Sequence, residues 1–266
     1  MHINTRNCAP RAPGSSNKHF IMNNSVVIKA FPENGRIYRE THAVVVIDVI
    51  RATTTAVTAV HLGRRVFPVT TTDQAFVLSG KLENPLLVGE LGGNVPYGFD
   101  LTNSPAQIAA LSVIPAGKFT DIRRPVILLS SSGTQLMHTA IGSEAIYIAC
   151  LRNISAVADH LVGRHSKIAV IGAGTRGRFR REDQICCAWV TEKLLNAGYV
   201  AEDEETTEIV SRWSGASPES ARGGHSEEYL KRSGQLFDLE FILSRIDDID
   251  VVPMLIDGEL TEASPI

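Results

Sequence analysis

The segment Ala43–Val49, AVVVIDV, constrains this chain more than any other. Val44, Val45, Val46 and Ile47 follow one another without a polar residue, so neither face of the segment is prepared for water. A half-exposed strand would alternate in polarity, whereas a continuous β-branched run reads as a strand covered on both faces. Shorter apolar runs recur at Val26–Ala30, Val66–Val69, Leu86–Val88, Val126–Ser130, Ala145–Cys150, Lys167–Ile171 and Val251–Ile256. Helical patterns separate them, including Thr72–Leu82, Gln184–Asn196 and Glu202–Trp213, with one or two more over Glu227–Arg245 interrupted at Gly234. Strands and helices in alternation predict an α/β protein with a mainly parallel sheet. The 266 residues suffice for one large domain or two small ones. We place the folded unit at 25–266 and read residues 1–24 as a disordered tail, because they contain no Asp or Glu and several Asn, Ser and Pro. The same composition fits an organellar transit peptide, and Met22 offers a second start.

In open α/β sheets, ligands bind at the C-terminal ends of the strands. The loops at those ends therefore carry the candidate chemistry. Asp48 and Arg51 close the Ala43 run. The loop Gly89–Pro105, GELGGNVPYGFDLTNSP, holds Glu90, Asp100 and four glycines in seventeen residues. It ends in Asn103-Ser104-Pro105, where Ser104 suits a helix N-cap and Pro105 the first helical position. Such a loop can hold a cation on its carboxylates and an anion on free helix N–H groups. Ser131-Ser132-Gly133-Thr134 forms a hydroxyl-rich turn that can offer N–H and O–H donors to an oxyanion. Each of these features also has a plainer reading as a turn aspartate, a solvated arginine or an ordinary cap.

Gly172, Gly174 and Gly177 follow a predicted strand and spell Gly-x-Gly-x-x-Gly, with Glu202 near the expected acidic offset. An NAD(P)-binding site is therefore a rival reading. Against it, the third glycine of that fingerprint belongs in a helix packed on the strand. Here Gly177 is followed by Arg178, Phe179, Arg180, Arg181, Glu182 and Asp183, a cluster hard to bury against a sheet. Glu182 and Asp183 instead open a helix, where acids suit the dipole.

A net charge of −3 offers no surface for nucleic acid. No apolar run approaches the ~18 residues of a membrane span. Cys8, Cys150, Cys186 and Cys187 are not spaced as a disulfide framework or zinc site, and they fit a reducing cytoplasm.

Five segments, in order and in register, are similar to one family. Asp48-Val49-Ile50-Arg51-Ala52-Thr53-Thr54-Thr55 resembles its Asp-Val-x-Arg-Ala-Thr-Thr-Thr segment. Gly98-Phe99-Asp100-Leu101-Thr102-Asn103-Ser104-Pro105 resembles its Gly-Phe-Asp-Leu-Gly-Asn-Ser-Pro loop. Leu151-Arg152-Asn153 resembles its Leu-Arg-Asn turn, and Ala173-Gly174 with Glu182-Asp183-x-x-Cys186 its Ala-Gly…Glu-Asp-x-x-Cys loop. Val252-Pro253 fits its close. The family is that of 2-phosphosulfolactate phosphatases of coenzyme M biosynthesis, and the likeness runs from Val26 to Leu260.

This resemblance implies two interlocked three-layer α/β/α halves. It also implies a Mg2+-dependent hydrolase that converts 2-phospho-3-sulfolactate to 3-sulfolactate and phosphate. Asp48, Glu90, Asp183 and, in place of one of them, Glu182 become metal ligands. Asp48, Arg51, Asp100 and Asn103 become catalytic. Thr53, Ser104, Ser131, Ser132, Gly133, Thr134, Arg152 and Asn153 become contacts to a small anionic phosphorylated substrate. Three nucleophiles stay open: metal-activated water first, then Asp48, then Cys186. A homodimer is the expected assembly, since dimers are commonest. Two positions depart from the family pattern: Leu91 stands where an arginine is common and Ser132 where an asparagine is. A non-catalytic anion binder is the reading that these losses favour.

Overall fold

The apolar runs inside the sheet become strands because both of their faces find apolar cover. The computed structural model describes residues 24–113, 117, 119–175 and 177–264. The tail predicted for residues 1–24 lies outside them save for Asn24, and Cys8 and Met22 lie wholly outside. The first half of the chain forms β1 (Ser25–Lys29), α1 (Asn34–Tyr38), β2 (Ala43–Ile47), α2 (Ala52–His61), β3 (Val66–Val69), α3 (Thr72–Ser79), β4 (Leu86–Gly89), α4 (Pro105–Leu111) and β5 (Val126–Leu129). There follow α5 (Gly133–Thr139), β6 (Ile146–Ala149), α6 (Ile154–Leu161), β7 (Lys167–Gly172), α7 (Arg181–Asn196), β8 (Val200–Ala201) and α8 (Glu204–Trp213). The chain closes with α9 (His225–Arg232), α10 (Leu236–Leu243), β9 (Pro253–Ile256) and β10 (Glu259–Glu262).

The ten strands make one sheet in the order β4-β5-β3-β10-β9-β6-β2-β7-β1-β8. Strands β4, β5 and β3 form one parallel block, and β6, β2, β7, β1 and β8 form a second. The β9–β10 hairpin joins the blocks through Leu260 opposite Val66 and Met254 opposite Tyr147. Three antiparallel steps separate the blocks, so they run in opposite senses. The hairpin turns on Asp257 (φ 49°) and Gly258 (φ 83°), the left-handed pair that a two-residue turn of this type requires.

Both faces of the blocks are buried. Val44 and Val46 point to one side of β2, Val45 and Ile47 to the other. The first pair shares a core with Val66, Val88, Val126 and Leu128 of the other block and with Ala56, Val57, Leu136 and Met137 of α2 and α5. The second pair packs with Val157 of α6, Ile185 and Val190 of α7, and Ile209 of α8. Leu87, Ile127 and Leu129 face Ala75 of α3. The two halves are thus blocks of one sheet that share α2 and α5 as an inner helical layer. Each fully buried Val, Leu or Ile contributes about 1.5–3 kcal/mol of transfer free energy.

Candidate active site

The C-terminal ends of β2 and β7 from one block, and of β4 and β5 from the other, meet around a cleft of about 600 Å³. Asp48 leaves β2 in a tight turn. Its N–H donates to Thr53 Oγ1 at 3.0 Å, and that hydroxyl lies 2.9 Å from the Asp48 carbonyl as donor. The Asp48 carboxylate accepts from the Ala52 and Gly133 N–H groups. Burial pushes this carboxyl up to about 7, reinforced by the charges of Glu90 and Glu182 and opposed by the two N–H groups. Gly133 must be glycine here, because a Cβ would lie 2.6 Å from both Ala52 Cβ and Asp48 Oδ2.

Asp183 reaches the same cleft from the first turn of α7 and accepts from the Val49 N–H at 2.8 Å. Burial raises its carboxyl well above the usual range, and Glu182 and Asp48 add to that. Glu90 accepts from Ser131 N–H at 2.7 Å, Gly93 N–H at 2.8 Å and Ser131 Oγ at 3.1 Å. Among the described residues, the hydrogen-bond partners of all three carboxylates are thus backbone N–H groups and a hydroxyl. Arg51, also in the cleft wall, gives its Nη1 to Asp238 at 2.5 Å and to Gln235. Asn103 lines the cleft at 2 % exposure, and its buried Oδ1 has no hydrogen-bond partner among the described residues.

The cleft therefore gathers Asp48, Arg51, Glu90, Asn103, Ser131, Ser132 and Asp183. Thr53 and Gly133 stand behind Asp48 and hold it. Ser104 caps α4 through Gln107 N–H and donates to Asp238, while Thr134 exchanges hydrogen bonds with Ser130. The remaining sequence candidates lie elsewhere. Asp100 accepts from Leu87 N–H and pins its own loop to β4. Arg152 is held by Asp248 and Thr58, and Asn153 bonds Cys150 N–H and the carbonyls of Ile148 and Val251. Both tie their turn to the segment before β9, and neither lines the cleft. Glu182 faces a neighbouring cavity and accepts from Ser226, because consecutive helical residues point about 100° apart. Cys186 is fully buried behind the site, and burial drives its thiol well above the usual range.

The dinucleotide fingerprint does not acquire its helix. Gly177 lies in a loop before α7, which starts at Arg181. A Cβ on Gly172 would strike the Phe179 ring at 2.3 Å, and one on Gly174 would strike Ala30 O at 2.2 Å. These glycines let the chain pack on itself.

The sequence reading missed the opposite wall: Arg178, Arg180, His225, Tyr229 and Arg232. Tyr229 of α9 donates to Gly93 O, docking the helix on the Glu90 loop. Nothing in the local pattern of 225–232 links it to residue 93, so only the tertiary fold reveals the contact.

Among the described residues, no three His, Cys, Asp or Glu side chains close into a ready cage for a metal. The donor set nonetheless fits magnesium. That ion keeps several waters and binds through one or two carboxylates plus substrate phosphate, not through an all-protein cage. Asp48, Glu90 and Asp183 are hard oxygen donors that repel one another, which a cation would relieve.

A sequence profile described as 2-phosphosulpholactate phosphatase matches residues 30–258. Three relatives named "Probable 2-phosphosulfolactate phosphatase" are each 33% identical. The protein of Carboxydothermus hydrogenoformans aligns over 84% of this chain and 89% of its own length. The figures are 80% and 88% for Deinococcus radiodurans, and 82% and 91% for Thermotoga maritima. The match spans both blocks of the sheet and every loop of the cleft, and the chain belongs to the 2-phosphosulpholactate phosphatase family.

Proposed function

We propose that this chain is a magnesium-dependent phosphatase that adds water to 2-phosphosulfolactate and releases 3-sulfolactate and inorganic phosphate. The observation that carries the reading is the convergence of Asp48, Glu90 and Asp183, none of them in an ion pair with another of the described residues, in one cleft with Arg51. The names of the relatives supply the substrate. Asp48, Glu90 and Asp183 would hold the ion. Bound there, magnesium supplies positive charge to the phosphoryl oxygens and acidifies a water. Arg51, fixed through Nη1 by Asp238, turns its remaining donors to the phosphoryl group. Asn103 lines the same cleft, and its side-chain amide would help to position the phosphoryl group there. Asp48 would take a proton from the attacking water and pass it to the 3-sulfolactate oxygen as the P–O bond breaks. Its buried neighbours Ala52 N–H and Gly133 N–H keep it aimed throughout.

A cytoplasmic setting is part of this reading, supported by the free, buried thiols of Cys150, Cys186 and Cys187. No helix among the described residues is long and apolar enough to cross a membrane. The test is phosphate release from 2-phosphosulfolactate and from p-nitrophenyl phosphate, with magnesium or with EDTA. Release that EDTA abolishes supports the reading. No release from either ester in excess magnesium favours the non-catalytic anion binder instead.

A further inference from the structure

The leucine at position 91 leaves a question: which cation of this chain reads the anionic tail of the substrate? Leu91 sits in a turn closed by reciprocal backbone hydrogen bonds with Asn94, and Glu90 and Gly92 border the cleft while Leu91 does not. Arg51 is committed to Asp238 and Gln235 at the cleft floor, and Arg152 to Asp248 outside it. Among the described residues the other cleft arginines are Arg178, Arg180 and Arg232. Arg180 donates to the neutral Thr175 hydroxyl.

Arg178 Nη1 bonds His225 Nε2. A guanidinium has no acceptor, so that ring nitrogen accepts and the imidazole proton sits on Nδ1. Nδ1 faces Glu228 Oε2 at 3.8 Å, and the same oxygen lies 3.6 Å from Arg232 Nη2. Both contacts are long and exposed, so they hold little. The carboxylate of Glu228 thus lies, loosely, between Arg232 and the His225 ring, whose other nitrogen Arg178 touches. The acids Asp48 and Asp183 are buried at the floor, while Arg178 and Arg232 are exposed at the rim. A phosphoryl group on the floor leaves the rest of its molecule pointing to that rim.

We infer that Arg178 and Arg232, with His225 between them, form a distal anion subsite for a sulfonate or carboxylate, and that Glu228 is the chain's own competitor, displaced when the ligand arrives. The ligand's identity rests on the phosphatase reading, but the subsite does not need turnover. The experiment is calorimetric titration of the full chain with 3-sulfolactate and with lactate, which lacks the sulfonate. Arg178→Ala and Arg232→Ala should each raise the Kd for 3-sulfolactate about tenfold and erase most of the preference over lactate. Glu228→Gln should lower that Kd about threefold, the opposite sign. These side chains are at the surface, so melting curves should stay near that of the parent. Unchanged affinity in both arginine variants, weaker binding in Glu228→Gln, or no binding of 3-sulfolactate by the parent each overturns the inference. Selective binding by a chain that releases no phosphate would sink the phosphatase reading and leave the subsite standing.

Discussion

Asp238→Ala should be among the most costly single substitutions in this molecule. Asp238 is fully buried and Arg51 is 4 % exposed, with Nη1 and Oδ2 2.5 Å apart. The aspartate also accepts from Ser104 Oγ at 2.5 Å and from Ala106 N–H at 3.3 Å, tying β2, α4 and α10 together. Truncation strands a buried guanidinium without its counter-charge and removes an acceptor from two further donors. Breaking one side of a buried pair costs about 3–5 kcal/mol. Against a typical total of about 5–15 kcal/mol, that is at least about a fifth of the stability. Asp238→Asn should cost less, since an amide oxygen still accepts from Ser104. The double variant Arg51→Met/Asp238→Leu should recover most of the loss, because the uncompensated charge leaves with its partner. Urea unfolding followed by circular dichroism measures all four proteins. A loss below about 1 kcal/mol in Asp238→Ala, or a double variant no more stable than Asp238→Ala, would refute the argument that desolvation dominates here.

Three further outcomes are expected. The Asp48 carboxyl is pushed up to about 7 and Asp183 moves the same way, so protonation favours the folded state. Without metal, stability should therefore fall as pH rises from about 4, the unfolded value, through about 7; magnesium should raise the melting temperature more at pH 8 than at pH 5, and equal shifts would contradict this. Cys186→Ala should keep turnover within about twofold, because burial holds its thiol protonated; an inactive but folded variant would restore the thiolate nucleophile. Leu91→Arg should change kcat/KM for 2-phosphosulfolactate by less than about twofold, since residue 91 does not border the cleft; a tenfold gain would place it at the substrate.

The strands were legible because each apolar run is short and continuous, and the α/β alternation followed from them. The β9–β10 hairpin was not anticipated, although Asp257-Gly258 is a hairpin signal, because the run before it had been read as a single closing strand. At the site, Asp48, Glu90, Asn103 and Asp183 could be singled out because each ends a strand or opens a helix at the sheet's C-terminal edge. Arg152 and Asn153 share that position in sequence, yet Asp248 and the carbonyl of Val251 satisfy them. The fate of a polar side chain at a strand end depends on which distant segment packs beside it. For the same reason α9 and α10 were silent: Tyr229 and Asp238 act through partners more than 100 residues away.

The central claim is that the cleft acids hold the ion on which hydrolysis depends. Its most direct test is the magnesium concentration for half-maximal phosphate release from 2-phosphosulfolactate, compared among the parent, Asp48→Asn, Glu90→Gln, Asp183→Asn and Glu182→Gln. The account expects a rise of about tenfold or more in each of the first three variants. Glu182→Gln should leave it within about threefold, because Glu182 faces the neighbouring cavity. A magnesium requirement that moves with Glu182 and not with Asp183, or that moves with none of them, would contradict it.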